Sequence, residues 1–324
     1  MKSVVPTLET ATAASETVYA AMPPTPQYAW PLLGERAGCE VWVKHENHTP
    51  IGAFKVRGGL TFMEQLHRDH PECRGVIAAT RGNHGQSIAF AARRHGLEAT
   101  LVVPHGNSKE KNAAMRAFGA ELVVHGQDFQ EALERTQALA AERGLHLVPA
   151  FASVLMRGII SYPLEFFRAV SDVAAFYVPI GMGSGICSVI AARDVLGLTT
   201  QIIGVVSEVL PAYQLSFEAS RPIATPPAQT IADGLACRVP DPAAVEIITK
   251  GAERVVTVSE SEIRAAMRHY FTDTHNVVEG AGAAPLAALL KEKEAWRGKR
   301  VGLVASGGNV DREVFVDVLN EREA

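Results

Sequence analysis

No apolar run in the 324 residues is long enough to span a bilayer, which takes about 18 or more consecutive apolar side chains. A helical membrane span is therefore excluded. Residues 1–12 hold one lysine and no apolar core, so they do not read as a secretory leader. Cysteine is scarce. Cys39, Cys73, Cys187 and Cys237 lie far apart without a C-x-x-C pair, which excludes a zinc ribbon or a disulfide framework. Such thiols are expected to be small buried residues in a reducing cytoplasm. Eleven histidines form no H-E-x-x-H pattern, and His45 and His48 are expected to be hydrogen-bonded structural residues. There is no basic cluster, and 31 basic against 35 acidic residues leave a net charge of −4. Nucleic acid and anionic membranes are thus not expected partners. Repeats and low-complexity tracts are also missing.

What is present is a globular composition, with 47% hydrophobic and 20% charged residues in a length that suits about two domains. Strand-like runs at 41–43, 76–79, 100–103, 121–124, 175–180, 201–206, 254–258 and 301–305 alternate with helical patterns. That alternation implies an α/β protein, with mostly parallel twisted sheets flanked by helices. Ser259 with Glu262 forms a capping box ahead of Ile263, Met267 and Tyr270. Asn107 with Glu110 signals a similar start, and Gly119 a stop. The proline-rich stretch 222–227 reads as a loop.

Three segments carry chemistry. Lys55 stands in Ala53-Phe54-Lys55-Val56-Arg57-Gly58-Gly59, just past the 41–43 run. A lysine in a dry pocket has a lowered pKa and can form a Schiff base with a carbonyl compound; the ordinary alternative is a solvated surface lysine. Thr80-Arg81-Gly82-Asn83-His84-Gly85-Gln86-Ser87 joins a strand to an alanine-rich helix. Its backbone N–H groups suit a carboxylate or phosphate, although the same residues also read as a plain turn capped by Asn83. Gly181-Met182-Gly183-Ser184-Gly185-Ile186 follows a strand and opens a helical run from Val189 to Leu196. Its glycines let backbone close around an anion. A dinucleotide fingerprint with Glu208 as ribose ligand is the competing reading, but Ile186 occupies the third glycine position.

In that order, and followed by Ser306-Gly307-Gly308-Asn309, these segments resemble the fold-type II pyridoxal-phosphate enzymes, specifically the threonine/serine dehydratase and serine racemase group. The segments 230–236 (Thr-Ile-Ala-Asp-Gly-Leu-Ala) and 278–283 (Val-Glu-Gly-Ala-Gly-Ala) fit the same group, so the likeness runs from about Pro24 to the final helix. It implies a tryptophan synthase β-like fold, with a large domain from residues 1–62 and 153–324 and a small inserted domain from 63–152. It implies pyridoxal 5′-phosphate carried on Lys55, Asn83 at the ring hydroxyl, the phosphate in Gly181, Met182, Gly183, Ser184 and Gly185, and Ser306 at the pyridine nitrogen. A serine there keeps the ring a weaker electron sink than an aspartate would, which favours β-elimination. The implied reaction removes water from a 3-hydroxy amino acid such as threonine or serine, with Lys55 as base, giving a 2-oxo acid and ammonia. Thr80, Arg81, Gly82 and His84 are then expected to hold the substrate. A homodimer is implied by the group alone. With the chain ending at Ala324, no C-terminal regulatory domain, and hence no allosteric control by isoleucine, is expected.

Two departures stand out. The group's Ser-Phe-Lys is Ala53-Phe54-Lys55 here, and its Ser-Ser-Gly-Asn-His is Thr80-Arg81-Gly82-Asn83-His84. In serine racemases the second serine is an acid/base; arginine stays protonated and cannot be one, so racemisation is disfavoured. Arg81 can instead grip a carboxylate bidentately; the plain alternative is that it points to solvent. The loop variant resembles dehydratases of hydroxyectoine-utilisation pathways. Substrates left open are threonine, serine, 3-hydroxyaspartate, phenylserine and a hydroxyectoine-derived amino acid. A β-replacement synthase of the cysteine synthase type shares the fold but has a different loop. A nicotinamide-dependent dehydrogenase leaves Lys55 unexplained, and a non-catalytic binding protein has no need of it. Some relatives hold a cation near Glu208; the ligand positions do not match clearly here, and the metal stays unassigned.

Overall fold

The computed structural model describes residues 6–321. Residues 1–5 of the stretch judged not to be a leader, and the chain end at Ala324, lie outside the described residues. Among the described residues ten strands are found: β1 Gln27–Ala29, β2 Glu40–His45, β3 Gly75–Ala79, β4 Glu98–Val103, β5 Glu121–Val124, β6 His146–Leu147, β7 Val173–Pro179, β8 Gln201–Ser207, β9 Arg254–Val258 and β10 Arg300–Ala305. They form two sheets, ordered β1-β2-β10-β7-β8-β9 and β5-β4-β3-β6. Of these strand pairs, only the edge pair β1–β2 is antiparallel. The eight expected strands are all there. β1 and β6 were not expected, because three and two residues are too short to show a period.

The sequence explains why both sheets are covered on both faces. Strand β3 is Gly-Val-Ile-Ala-Ala and fully buried. Val76 and Ala78 point into one apolar cluster, while Ile77 and Ala79 point into another with Val102, Ala132 and Leu139. In β7, Phe176 and Val178 face one side, and Ala175 and Tyr177 the other. Continuous apolar strands of this kind belong to parallel sheets sandwiched by helices. Gly302 in β10 is required by packing, since a Cβ there would lie 2.4 Å from Phe176 and 2.7 Å from Phe166.

Helix starts are set by local capping. Ser259 and Glu262 make the expected capping box. At residue 107 the expectation needs correcting. The cap of helix Lys109–Ala117 is Ser108, whose hydroxyl accepts from the Lys111 amide, and Asn107 bonds Asn112 instead. Likewise the helix after the second glycine loop begins at Ser184 rather than Val189.

A buried ionic cluster fixes the start of helix Lys55–Asp69. Arg57 is fully buried and donates to Glu46 at 2.7 Å and to Glu165 at 2.6 Å. Lys44, also fully buried, donates to Glu165 at 2.6 Å. Burial works against the Arg57 charge, but Glu46 and Glu165 outweigh it and raise its pKa. Two cations meet two carboxylates, and this balance makes burial of the group tolerable.

Candidate active site

The expected site residues follow the carboxyl ends of four strands. Lys55 follows β2, the loop from Thr80 to His84 follows β3, the loop from Gly181 to Gly185 follows β7, and Ser306 follows β10. Crevices at such ends are where open parallel sheets bind ligands. All twelve expected residues, Lys55, Thr80, Arg81, Gly82, Asn83, His84, Gly181, Met182, Gly183, Ser184, Gly185 and Ser306, line one cleft of about 860 Å³.

Lys55 opens helix Lys55–Asp69, and its Nζ donates to the Ser184 hydroxyl at 3.0 Å. Burial alone pushes its amine down to about 8. A neutral, nucleophilic amine is therefore well populated near neutrality. The neighbouring backbone is pinned from β10: the Phe54 amide donates to the Ser306 carbonyl at 3.0 Å, and Ala53 bridges Gly307. His84 is held neutral, pushed down to about 3 by burial and then by the Lys55 charge, and its Nε2 is buried with no hydrogen-bond partner.

The glycine loop leads into helix Ser184–Val195. A Cβ on Gly181 would lie 2.3 Å from the Gly234 carbonyl oxygen, and Gly183 takes φ +95 beside Ala244. Tyr213 donates to the Met182 carbonyl at 2.9 Å and holds the loop in place. The amides of Ser184, Gly185 and Ile186 have no acceptor among the described residues. Three free N–H groups at a helix N-terminus form an anion cradle. The loop after β3 is built similarly. Thr80 Oγ1 accepts from the Gly82 and Gly85 amides, both at 2.9 Å, while the Asn83 and His84 amides stay free. Gly82 is the N-cap residue of helix Asn83–Arg94, so Asn83 is not its cap. Gly82 sits at φ +147, with Lys111 where a side chain would go.

Lys111 is the residue the sequence did not single out. It reaches across from helix Lys109–Ala117 to Asp233 at 2.7 Å and Glu279 at 3.0 Å. Burial opposes its charge, but the two carboxylates outweigh burial and raise its pKa. Burial pushes the Glu279 carboxyl up against the pull of Lys111, and the charge of Asp233 adds to the rise. Glu279 also accepts from Asn83 Nδ2 at 2.5 Å, and Asn83 Oδ1 accepts from Asn309 at 2.9 Å. The amide that faces the cleft is thus clamped at both ends. Asp233, Glu279 and Asn309 lay in segments already noted, but Lys111 carried no local signal.

Other readings resolve simply. His45 accepts from Trp30 at 3.0 Å and His48 pairs with Asn276 at 2.7 Å, so both are hydrogen-bonded structural residues. Glu208 is exposed. Among the described residues, no three His, Cys, Asp or Glu side chains are grouped to hold a metal. Cys39, Cys187 and Cys237 are buried and Cys73 is partly so. Cys237 lines the cleft, but burial pushes its thiol up to about 12.

The family model described as pyridoxal-phosphate dependent enzyme matches residues 18–307. The chain belongs to that family. It is 36% identical over 291 residues to the L-threonine ammonia-lyase of Geobacter sulfurreducens, covering 90% of this chain and 72% of the relative. It is 31% identical over 323 residues to the L-threo-3-hydroxyaspartate ammonia-lyase of Saccharomyces cerevisiae, covering 99% and 98%. The structure of the processed form of threonine deaminase isoform 2 from Solanum lycopersicum superposes with a TM-score of 0.87 at 26% identity, covering 97% of this chain and 88% of that one. The fold is therefore the fold-type II α/β architecture, and the cofactor of the family is pyridoxal phosphate. The residues present fit that group: a partly buried amine of lowered pKa for its aldehyde, and a cradle of free amides whose glycines leave no room for side chains.

Proposed function

We propose that this chain is a pyridoxal-phosphate-dependent ammonia-lyase that eliminates water from a 3-hydroxy amino acid of the threonine or serine type. The observation that carries the reading is the Lys55 amine, partly buried and 3.0 Å from Ser184, facing the loop after β3 across one cleft. The named activities of the similar ammonia-lyases support it.

Lys55 would hold the cofactor, with the amides of Ser184, Gly185 and Ile186 at its phosphate and Asn83 and Ser306 at its ring. Bound there, pyridoxal phosphate supplies the electron sink for the bond broken at Cα. The free amides of Asn83 and His84 receive the substrate α-carboxylate. The Lys55 amine would take the Cα proton, and burial, by lowering its pKa, suits it to do so near neutral pH. The β-hydroxyl leaves with a proton as water. The enamine that remains takes up water and yields a 2-oxo acid and ammonia. The clamp from Lys111 through Glu279 to Asn83 keeps the ring-facing amide in a single orientation.

Residues 63–152 are proposed as the small domain and 1–62 with 153–324 as the large one, the cleft lying between them. A cytoplasmic homodimer with a catabolic role completes the reading. Absorbance spectra of the purified protein, with and without a panel of 3-hydroxy amino acids, test it alongside 2-oxo acid release. A cofactor band that responds to these amino acids, with oxo acid formed, supports the lyase. A protein that takes up no pyridoxal phosphate refutes it.

A further inference from the structure

Arg81 lines both the cleft and a neighbouring open pocket of about 890 Å³, which also share Phe129, Met182 and Cys237. Its Nε is buried with no hydrogen-bond partner, and no carboxylate of the described residues pairs with it. Arg81 is partly buried at the wall of the cleft, and a guanidinium there with no partner from the chain is available to an anionic ligand.

None of the acidic side chains lining the two spaces pairs with Arg81. In the cleft, Asp233 and Glu279 are held by Lys111. In the neighbouring pocket, Asp128 caps helix Phe129–Arg143 and pairs with Arg238 at 2.8 Å. Asp241 accepts from the Ala243 and Ala244 amides. Arg81 is thus the cation of this wall that the described carboxylates leave unpaired. Two anions of the reaction already have donors of their own, the phosphate at helix Ser184–Val195 and the α-carboxylate at the Asn83 and His84 amides. Arg81 is left for a third.

We propose that Arg81 receives an anionic group on the substrate side chain, making the site selective for 3-hydroxy amino acids with a second acidic group. This rests on the lyase reading and deepens it. The guanidinium meets a carboxylate through two parallel N–H donors, and the neighbouring pocket leaves room for a side chain longer than that of threonine.

The test uses the holoenzyme with threonine and the stereoisomers of 3-hydroxyaspartate, in wild type, Arg81→Gln and Arg81→Lys. The non-reacting pair aspartate and 2-aminobutyrate is titrated against the cofactor band. Wild type is expected to favour the acidic member of each pair by about ten- to hundredfold. Arg81→Gln should lose that preference, mainly through a raised KM for the acidic member of each pair, and Arg81→Lys should keep part of it. Equal losses for threonine and 3-hydroxyaspartate would overturn the proposal and assign Arg81 to the shared α-carboxylate. A wild-type preference for threonine would overturn it too. Arg81-dependent aspartate binding without turnover of any 3-hydroxy amino acid would sink the lyase reading and leave the Arg81 assignment standing.

Discussion

Arg57 and Arg81 lie on either side of the same lysine and are treated in opposite ways. Arg57 is two residues past Lys55, fully buried, with its guanidinium spent on Glu46, Glu165 and Ser161. Arg81 sits in the loop facing Lys55 across the cleft, and its Nε has no partner at all. The first arginine has all it needs from the chain, so it acts as scaffold. The second lines the cleft with no partner from the chain, as its proposed role toward a ligand requires. The difference shows that satisfaction of polar groups, more than residue type, separates structural from functional charge.

The largest expected effect lies between the two. Lys55→Ala should lower kcat on the order of 10³-fold or more while leaving the fold intact, read by oxo-acid release and circular dichroism. Next comes the contrast in stability. Arg57→Met leaves Glu46 and Glu165 with less compensation and should cost about 3–5 kcal/mol in urea unfolding. Arg81→Met should stay within about 0.5 kcal/mol of wild type. Equal losses at both positions would erase the distinction. Smaller again is Gly181→Ala, whose Cβ would crowd the Gly234 carbonyl. The shift of the loop should weaken pyridoxal phosphate binding by about tenfold, measured by equilibrium titration. The smallest effect is in pH dependence. In its proposed role only the neutral Lys55 amine would attack the cofactor aldehyde, and burial lowers its pKa to about 8. Cofactor uptake by the apoprotein should therefore quicken by about tenfold from pH 7 to about pH 9 and then level off. His84, at about 3, adds no step in that window.

Much of this was legible in the chain. Lys55, the two loops and Ser306 could be found because each follows a clear apolar strand and because glycines mark backbone that approaches something closely. The order of the segments identified the group. β1 and β6 were not legible, since short edge strands exist only through their neighbours. Ser108 displaced Asn107 as a cap because adjacent Asn and Ser signals compete, and geometry alone decides. Lys111 was invisible for a deeper reason. Its role depends on Asp233 and Glu279, far away in sequence, and no local pattern encodes that meeting. Arg81 was noticed as a departure from the group, but its missing counter-charge could be seen only with the neighbouring carboxylates in place.

The most direct test of the central claim is to load the protein with pyridoxal phosphate, fix the bound cofactor with borohydride, digest, and locate the added mass. The account predicts the adduct on the peptide bearing Lys55 and nowhere else, lost in Lys55→Ala. An adduct on Lys111 or Lys44, or none, would contradict it.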